Sequence, residues 1–206
     1  MSDPLVTKAA AYYSRKLAEF GATPRGADWS SGESQEMRFD QLLRMCAPNA
    51  AIDINDYGCG YGALVSHLDR LGRRFDYCGY DAAAPMIAAA QASLEGDSRC
   101  RFTSDRAAVT PRRYTVASGI FNVREQASDA EWWDYILRTL DDLAALSTEA
   151  FSCNFLTSHA DADRQRADLY YADPSELLRF CLRRYPRRVA VLHDYPLYEF
   201  TLVVRV

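Results

Sequence analysis

Asp56, Gly58, Gly60 and Gly62 stand at alternate positions in the run Asp53-Ile54-Asn55-Asp56-Tyr57-Gly58-Cys59-Gly60-Tyr61-Gly62-Ala63-Leu64. A strand-like stretch ends in an acid, three glycines follow, and a helix is expected over 63–71. Glycines so spaced let the backbone turn sharply and let a ligand lie against bare main chain. A helix beginning there offers free N–H groups and a positive dipole end. Both favour a carboxylate or a phosphate. The pattern points to a nucleotide-like cofactor.

Two cofactor classes fit the glycines. Gly58-x-Gly60-x-x-Ala63 matches the dinucleotide fingerprint. Asp56-x-Gly58-x-Gly60-x-Gly62 resembles motif I of class I S-adenosylmethionine (SAM) methyltransferases. The acid at Asp56 separates them: a carboxylate beside the turn repels a pyrophosphate but attracts the ammonium and sulfonium of SAM. A second strand, 75–81, ends in Asp81, 19 residues after Gly62, where an acid accepts ribose hydroxyls. Both cofactors carry a ribose, so Asp81 suits either.

The resemblance to class I SAM-dependent methyltransferases extends from about Ile52 to Val206, and it implies further roles. Met86, in a helix expected over 84–94, would pack on the adenine. Asp105, after a third strand near 100–104, would take the adenine amino group. Arg38 would pair with the methionine carboxylate under covering N-terminal helices. Tyr13 and Trp29 would line the substrate side near the sulfonium. The cofactor is then SAM and its product S-adenosylhomocysteine (SAH), with no metal.

Composition bounds the rest. The chain has 206 residues, 49% hydrophobic content and a net charge of −4, which suits one buried domain. It gives no general attraction for nucleic acid or anionic membranes. The basic clusters 70–74 and 183–188 fall at expected helix ends, where cations suit the dipole. Six cysteines (46, 59, 78, 100, 153 and 181) show no metal spacing, and reduced thiols in a cytoplasmic enzyme are expected. No signal-like stretch opens the chain and no apolar run reaches spanning length.

Strand and helix alternate along the chain. Helices are expected at Pro4–Phe20, Ser34–Cys46, 129–146 and 174–184, and further strands near 115–121, 150–156, 188–192 and 198–206. Alternation predicts a doubly covered, mostly parallel α/β sheet. The short link between the last two strands requires an antiparallel hairpin. Together with the resemblance this predicts a Rossmann-like, seven-stranded sheet of order 3-2-1-4-5-7-6. Residues 1–206 are expected to form a single domain, with a helical cap (1–48) on the core (49–206).

Ligands of such sheets bind beyond the strand carboxyl ends, where strand order reverses. The acceptor is therefore expected between the loops after strands four, five and six. Asn122 follows strand four and is placed near the transferable methyl. The connection 157–173, with His159 and Tyr171, is read as a binding loop. His193, beside Asp194, is the candidate general base, with Tyr195 on the substrate side. The expected reaction is methyl transfer from SAM to an O or N atom of a small molecule, by a monomer or homodimer. The rival readings are a catalytically silent SAM-binding sensor or partner subunit and an NAD(P)-dependent oxidoreductase.

Overall fold

The computed structural model describes residues 3–185 and 188–206. Helix α1 (Pro4–Phe20) starts where Asp3 accepts a hydrogen bond from the Leu5 N–H and Pro4 sets the first turn, and it stops at Gly21. A 3-10 turn (Pro24–Ala27) leads to α2 (Gly32–Leu43), which opens on a Ser31–Ser34 capping box. That cap starts α2 two residues earlier than its apolar spacing suggests.

The core alternates from there: β1 (Ile52–Tyr57), α3 (Ala63–Arg70), β2 (Phe75–Tyr80), α4 (Ala84–Ser93), β3 (Cys100–Thr103) and β4 (Arg112–Ala117). It continues with α5 (Asp129–Ala145), β5 (Ser147–Thr157), β6 (Tyr171–Ala172), α6 (Pro174–Arg184), β7 (Val189–Leu192) and β8 (Glu199–Arg205). Strand β4 ends earlier than its apolar run, because Gly119 takes a positive φ of 75° two residues on.

The strands form one sheet in the order β3-β2-β1-β4-β5-β8-β7. Pairing is parallel from β3 through β5, and β8 runs antiparallel to both β5 and β7. The path matches the expected order. The difference is β6, an eighth, two-residue strand that pairs Tyr171 and Ala172 with Leu156 and Thr157 at the end of β5.

Each sheet face carries its own apolar layer. Phe39, Leu42 and Leu43 of α2 and Leu64, Val65 and Leu68 of α3 pack on Ile52 and Ile54. On the other face Trp132, Ile136, Leu140 and Leu143 of α5 and Leu177 and Cys181 of α6 pack on Phe151, Phe155, Phe200 and Leu202. All six cysteines are free thiols, five of them buried. Arg70 pairs with Glu36 at 2.7 Å and Arg73 donates to the Ala47 carbonyl, so the first basic cluster holds α3 to its neighbours. Within the second cluster, Pro186 and Arg187 lie outside the described residues.

Candidate cofactor and active site

The carboxyl ends of β1, β2 and β4 open into a cavity roofed by α1 and the segment around Ala27 and Trp29. Its empty space is about 910 Å³, part of it open to solvent. The floor is Asp56, Tyr57, Gly58, Cys59, Gly60 and Tyr61. Tyr80, Asp81, Ala82 and Met86 form one side, and Ser118 and Ile120 the other. Val6, Ala9, Ala10 and Tyr13 of α1 complete the roof. These four are spaced i, i+3, i+4, i+7, one helical face, yet α1 buries no residue fully. That face looks onto the cavity, and Val6 at its start also packs against the apolar layer of α5 and α6.

The glycine turn is held by the acid of the next strand. Asp81 accepts from the Gly60 N–H at 2.9 Å and from the Ala83 N–H at 2.8 Å. Gly58, Gly60 and Gly62 all have positive φ, which glycine adopts without penalty. A Cβ on Gly58 would collide with Ile120, whereas one on Gly60 would meet no protein atom within 4 Å. Gly62 faces the other way, against Leu94, Phe102 and Ala90. Its role is therefore to seat α3 against α4 and β3, a correction to its expected contact with the cofactor.

Asp56 is 3% exposed, and its Oδ2 accepts from the Tyr77 hydroxyl at 2.7 Å. Burial pushes its carboxyl up to about 7, against the opposing effect of the Tyr77 hydrogen bond. Burial also raises Asp81, while its two backbone N–H donors oppose the rise. Burial holds the Tyr13 hydroxyl well above its ordinary range. Met86 is buried on the cavity wall.

Among the described residues no Lys, Arg or His lines the cavity. A pyrophosphate would meet two acids and no cation. A ligand bearing an ammonium and a sulfonium meets the charge it needs. The Ser118 Oγ is buried on this wall without a hydrogen-bond partner. An orphaned polar atom beside open space is what a polar ligand would satisfy. Both observations fit SAM. Among the described residues no group of His, Cys, Asp and Glu could hold a metal ion.

The structure brings Asp56, Gly58, Gly60, Asp81, Met86, Tyr13 and Trp29 together on this cavity. The other expected site residues lie elsewhere. Arg38 is 7% exposed and faces Glu199, donating to both carboxylate oxygens through Nε at 2.9 Å and to the Ser34 carbonyl through Nη1. Its guanidinium stacks 4.2 Å from the Trp29 ring. Every donor face is engaged, so Arg38 is not free for a cofactor carboxylate. Asp105 is exposed and caps a 3-10 turn by accepting from the Ala107 N–H, so it does not reach the cavity.

The acceptor-side loops do not converge there either. The Val123–Leu169 bridge and the Tyr170 N–H bond to the Asn122 carbonyl zip the two loops together. They form part of a separate open depression with Arg124, Asp129, Trp133 and Tyr171. Asn122 is buried beside it with an unpaired Oδ1. The Tyr171 hydroxyl accepts from the Arg166 N–H at 3.0 Å. His159 and His193 are exposed, their rings 6.2 Å apart. Tyr195 is buried with its hydroxyl 3.0 Å from Thr201 Oγ1. None of these residues lines the cavity: β5 runs on to Thr157 and pairs with β6, while Arg166 and Asp168 of the long connection lie near Tyr12 and Lys16 of α1.

Sequence reasoning did not single out Gln35, Tyr61, Ser118 or Glu199. Tyr61 donates to Gln35 Oε1 at 3.1 Å. Glu199 also accepts from Asn154 Nδ2 at 2.6 Å, and Asn154 Oδ1 accepts from the Gly119 N–H at 2.8 Å. The one available signal was an acid, Glu199, heading an apolar strand.

Comparison with known proteins agrees with this geometry. A protein of Mycobacterium tuberculosis (strain ATCC 25618 / H37Rv), named "Putative methyltransferase Rv1506c", is 50% identical over 159 residues, 76% of this chain and 96% of the relative. The structure of magnesium protoporphyrin IX methyltransferase from Synechocystis PCC 6803 with bound SAH superposes with a TM-score of 0.64 at 13% identity, covering 98% of this chain and 95% of that one. DhpI in its SAM–HEP complex gives 0.63 at 17% identity and 99% of each chain. The N-terminal domain of EvdMO1, in the presence of SAH and D-fucose, gives 0.60 at 14% identity and covers both chains fully. No family model matches the chain.

A Rossmann-like sheet with a terminal antiparallel hairpin, and an acid-lined cavity over a glycine turn, are the architecture of the class I SAM-dependent methyltransferase fold. The chain belongs to the methyltransferase family of its 50% identical relative.

Proposed function

We propose that this enzyme transfers the SAM methyl group to an O or N atom of a small-molecule acceptor, with the cofactor seated in the cavity beneath α1. The observation that carries the reading is the wall itself: two carboxylates, no cation among the described residues, and a roof of Val6, Ala9, Ala10 and Tyr13. Bound SAM supplies a methyl on a sulfonium leaving group. The protein's part is then to hold and desolvate the reactants.

In this reading Asp81 takes the ribose hydroxyls, Asp56 faces the ammonium, Met86 packs on the adenine, and Gly58 and Gly60 leave room for the ligand. Tyr13 and Trp29 form the wall nearest the acceptor. The raised Tyr13 hydroxyl stays protonated, which suits hydrogen bonding rather than proton abstraction. Positioning, without a general base from His193, therefore supports transfer. An apolar roof, with no cation among the described residues that line the cavity, favours a neutral acceptor. In support of a small acceptor, EvdMO1 was studied with SAH and D-fucose.

The net charge of −4 supports a protein without a nucleic-acid partner. No helix among the described residues is long and apolar enough to cross a membrane. We take residues 1–206 as one domain acting in the cytoplasm as a monomer or homodimer. The test is SAH release from SAM in the presence of a panel of neutral hydroxyl and amine compounds. Acceptor-dependent SAH supports the reading. SAM binding without transfer to any acceptor favours a sensor or partner subunit instead.

A further inference from the structure

The amino-acid end of SAM carries a carboxylate, but among the described residues the cavity wall has no cation to hold it. Arg38, the cation that the sequence offers, is committed to Glu199. Neutral donors must take its place. One turn before Arg38 on the same helix, Gln35 reaches the cavity and is 6% exposed.

The Tyr61 hydroxyl donates to Gln35 Oε1 at 3.1 Å. That bond fixes the carboxamide, with its oxygen on Tyr61 and its NH₂ end left to serve another acceptor. Tyr61 lies between Gly60 and Gly62, so the amide is docked at the start of α3, where free N–H groups favour an anion. Ser118 is a second, independent pointer: its Oγ is buried on the same wall without a partner. Asp56 and Ser118 leave neighbouring strands, Asp56 standing opposite Val116 in register. An acid for an ammonium thus sits beside neutral donors for a carboxylate.

We propose that Gln35 binds the cofactor carboxylate through its NH₂ group, with the Ser118 hydroxyl as a second donor. The proposal rests on the seating of SAM described above.

Calorimetry with two ligands tests it. SAH carries the amino-acid end, whereas 5′-methylthioadenosine keeps the adenosine and the sulfur but lacks that end. Gln35→Ala should weaken SAH about tenfold or more, the scale of one hydrogen bond to a charged group, and leave 5′-methylthioadenosine unchanged. The near-isosteric Gln35→Glu should weaken SAH further, because it sets carboxylate against carboxylate. Ser118→Ala should show a smaller loss, again for SAH alone. An equal loss for both ligands would mean that Gln35 merely braces the turn, and would overturn the assignment. Unchanged SAH affinity would overturn it as well. If the wild-type protein binds 5′-methylthioadenosine and SAH equally well, the amino-acid subsite is elsewhere while the adenosine seat stands. If it binds neither, the seat itself is wrong.

Discussion

Arg38 and Glu199, 161 residues apart in sequence, form a buried fork: Arg38 Nε donates to both oxygens of Glu199 at 2.9 Å. Asn154 donates to the same carboxylate and accepts from the Gly119 N–H. The guanidinium stacks on Trp29, whose ring lies over Gly119. One charge pair thus ties α2, β5 and β8 to the two segments that form the cavity wall at Trp29 and Ser118–Ile120.

Removing one partner of a buried pair strands the other charge. Glu199→Ala should therefore cost about 3–5 kcal/mol in urea denaturation. The double variant Arg38→Met/Glu199→Leu should recover most of that loss, since an apolar pair of similar volume is often tolerated. A loss below about 1 kcal/mol for the single variant, the range of exposed pairs, would show that the fork does not anchor the wall.

Asp56 links the site to pH. Its carboxyl moves from an ordinary value of 3.8 to about 7 in the folded, ligand-free protein. Between those values the native state holds a proton that the unfolded chain lacks, so this group's contribution is full below the lower value and is lost as pH rises through about 7. Asp81 shifts in the same direction. Asp56→Asn should flatten the dependence of melting temperature on pH across this window. A cationic ligand favours the ionised carboxylate, so SAM binding to the wild type should release a proton near neutrality. Calorimetry in buffers of different ionisation enthalpy measures that proton. Identical pH profiles for wild type and variant would remove Asp56 as the titrating group.

Asp81 both braces the glycine turn and faces the cavity. Asp81→Asn keeps one acceptor for the Gly60 N–H but weakens the charge-assisted bonds to ribose hydroxyls, each worth roughly 1.5–3 kcal/mol. SAH affinity should fall about tenfold or more on that scale, well beyond the modest loss of apo stability expected from the one backbone bond, to Ala83, that the amide NH₂ cannot accept. Parallel losses of affinity and stability would make Asp81 a structural brace alone.

His159 and His193 lie together on the surface. His193→Ala and His159→Ala should leave SAH affinity intact and lower turnover only slightly once an acceptor is known. A loss of about a hundredfold, within the range of general-base catalysis, would restore His193 to the mechanism.

The sequence made the fold and the cofactor floor legible because both are local. Gly58, Gly60, Asp56 and Asp81 read directly from one strand–turn–helix unit and the next strand. Helix α1 was visible in the helical spacing of its apolar residues from Pro4 to Phe20. The acceptor side was less legible because its geometry is set by long-range pairing. Asn122 is drawn to Tyr170 by a backbone bond, and β5 extends to Thr157 to pair with β6. Arg38 has the right type and the right helix for a carboxylate, but its partner, Glu199, lies in the last strand. Gln35, one turn away, carries no charge to draw notice.

The most direct test of the account is the cofactor affinity of Gly60→Val. A Cβ at Gly60 meets no protein atom within 4 Å, and Gly60 lines the cavity proposed for the cofactor. Calorimetry should find one SAH per chain on the wild-type protein and loss of that binding in Gly60→Val. Because φ at Gly60 is +54°, the variant should keep its fold at a strain cost of about 1–2 kcal/mol. A folded Gly60→Val protein that binds SAH as tightly as the wild type would contradict the placement of the cofactor over the glycine turn.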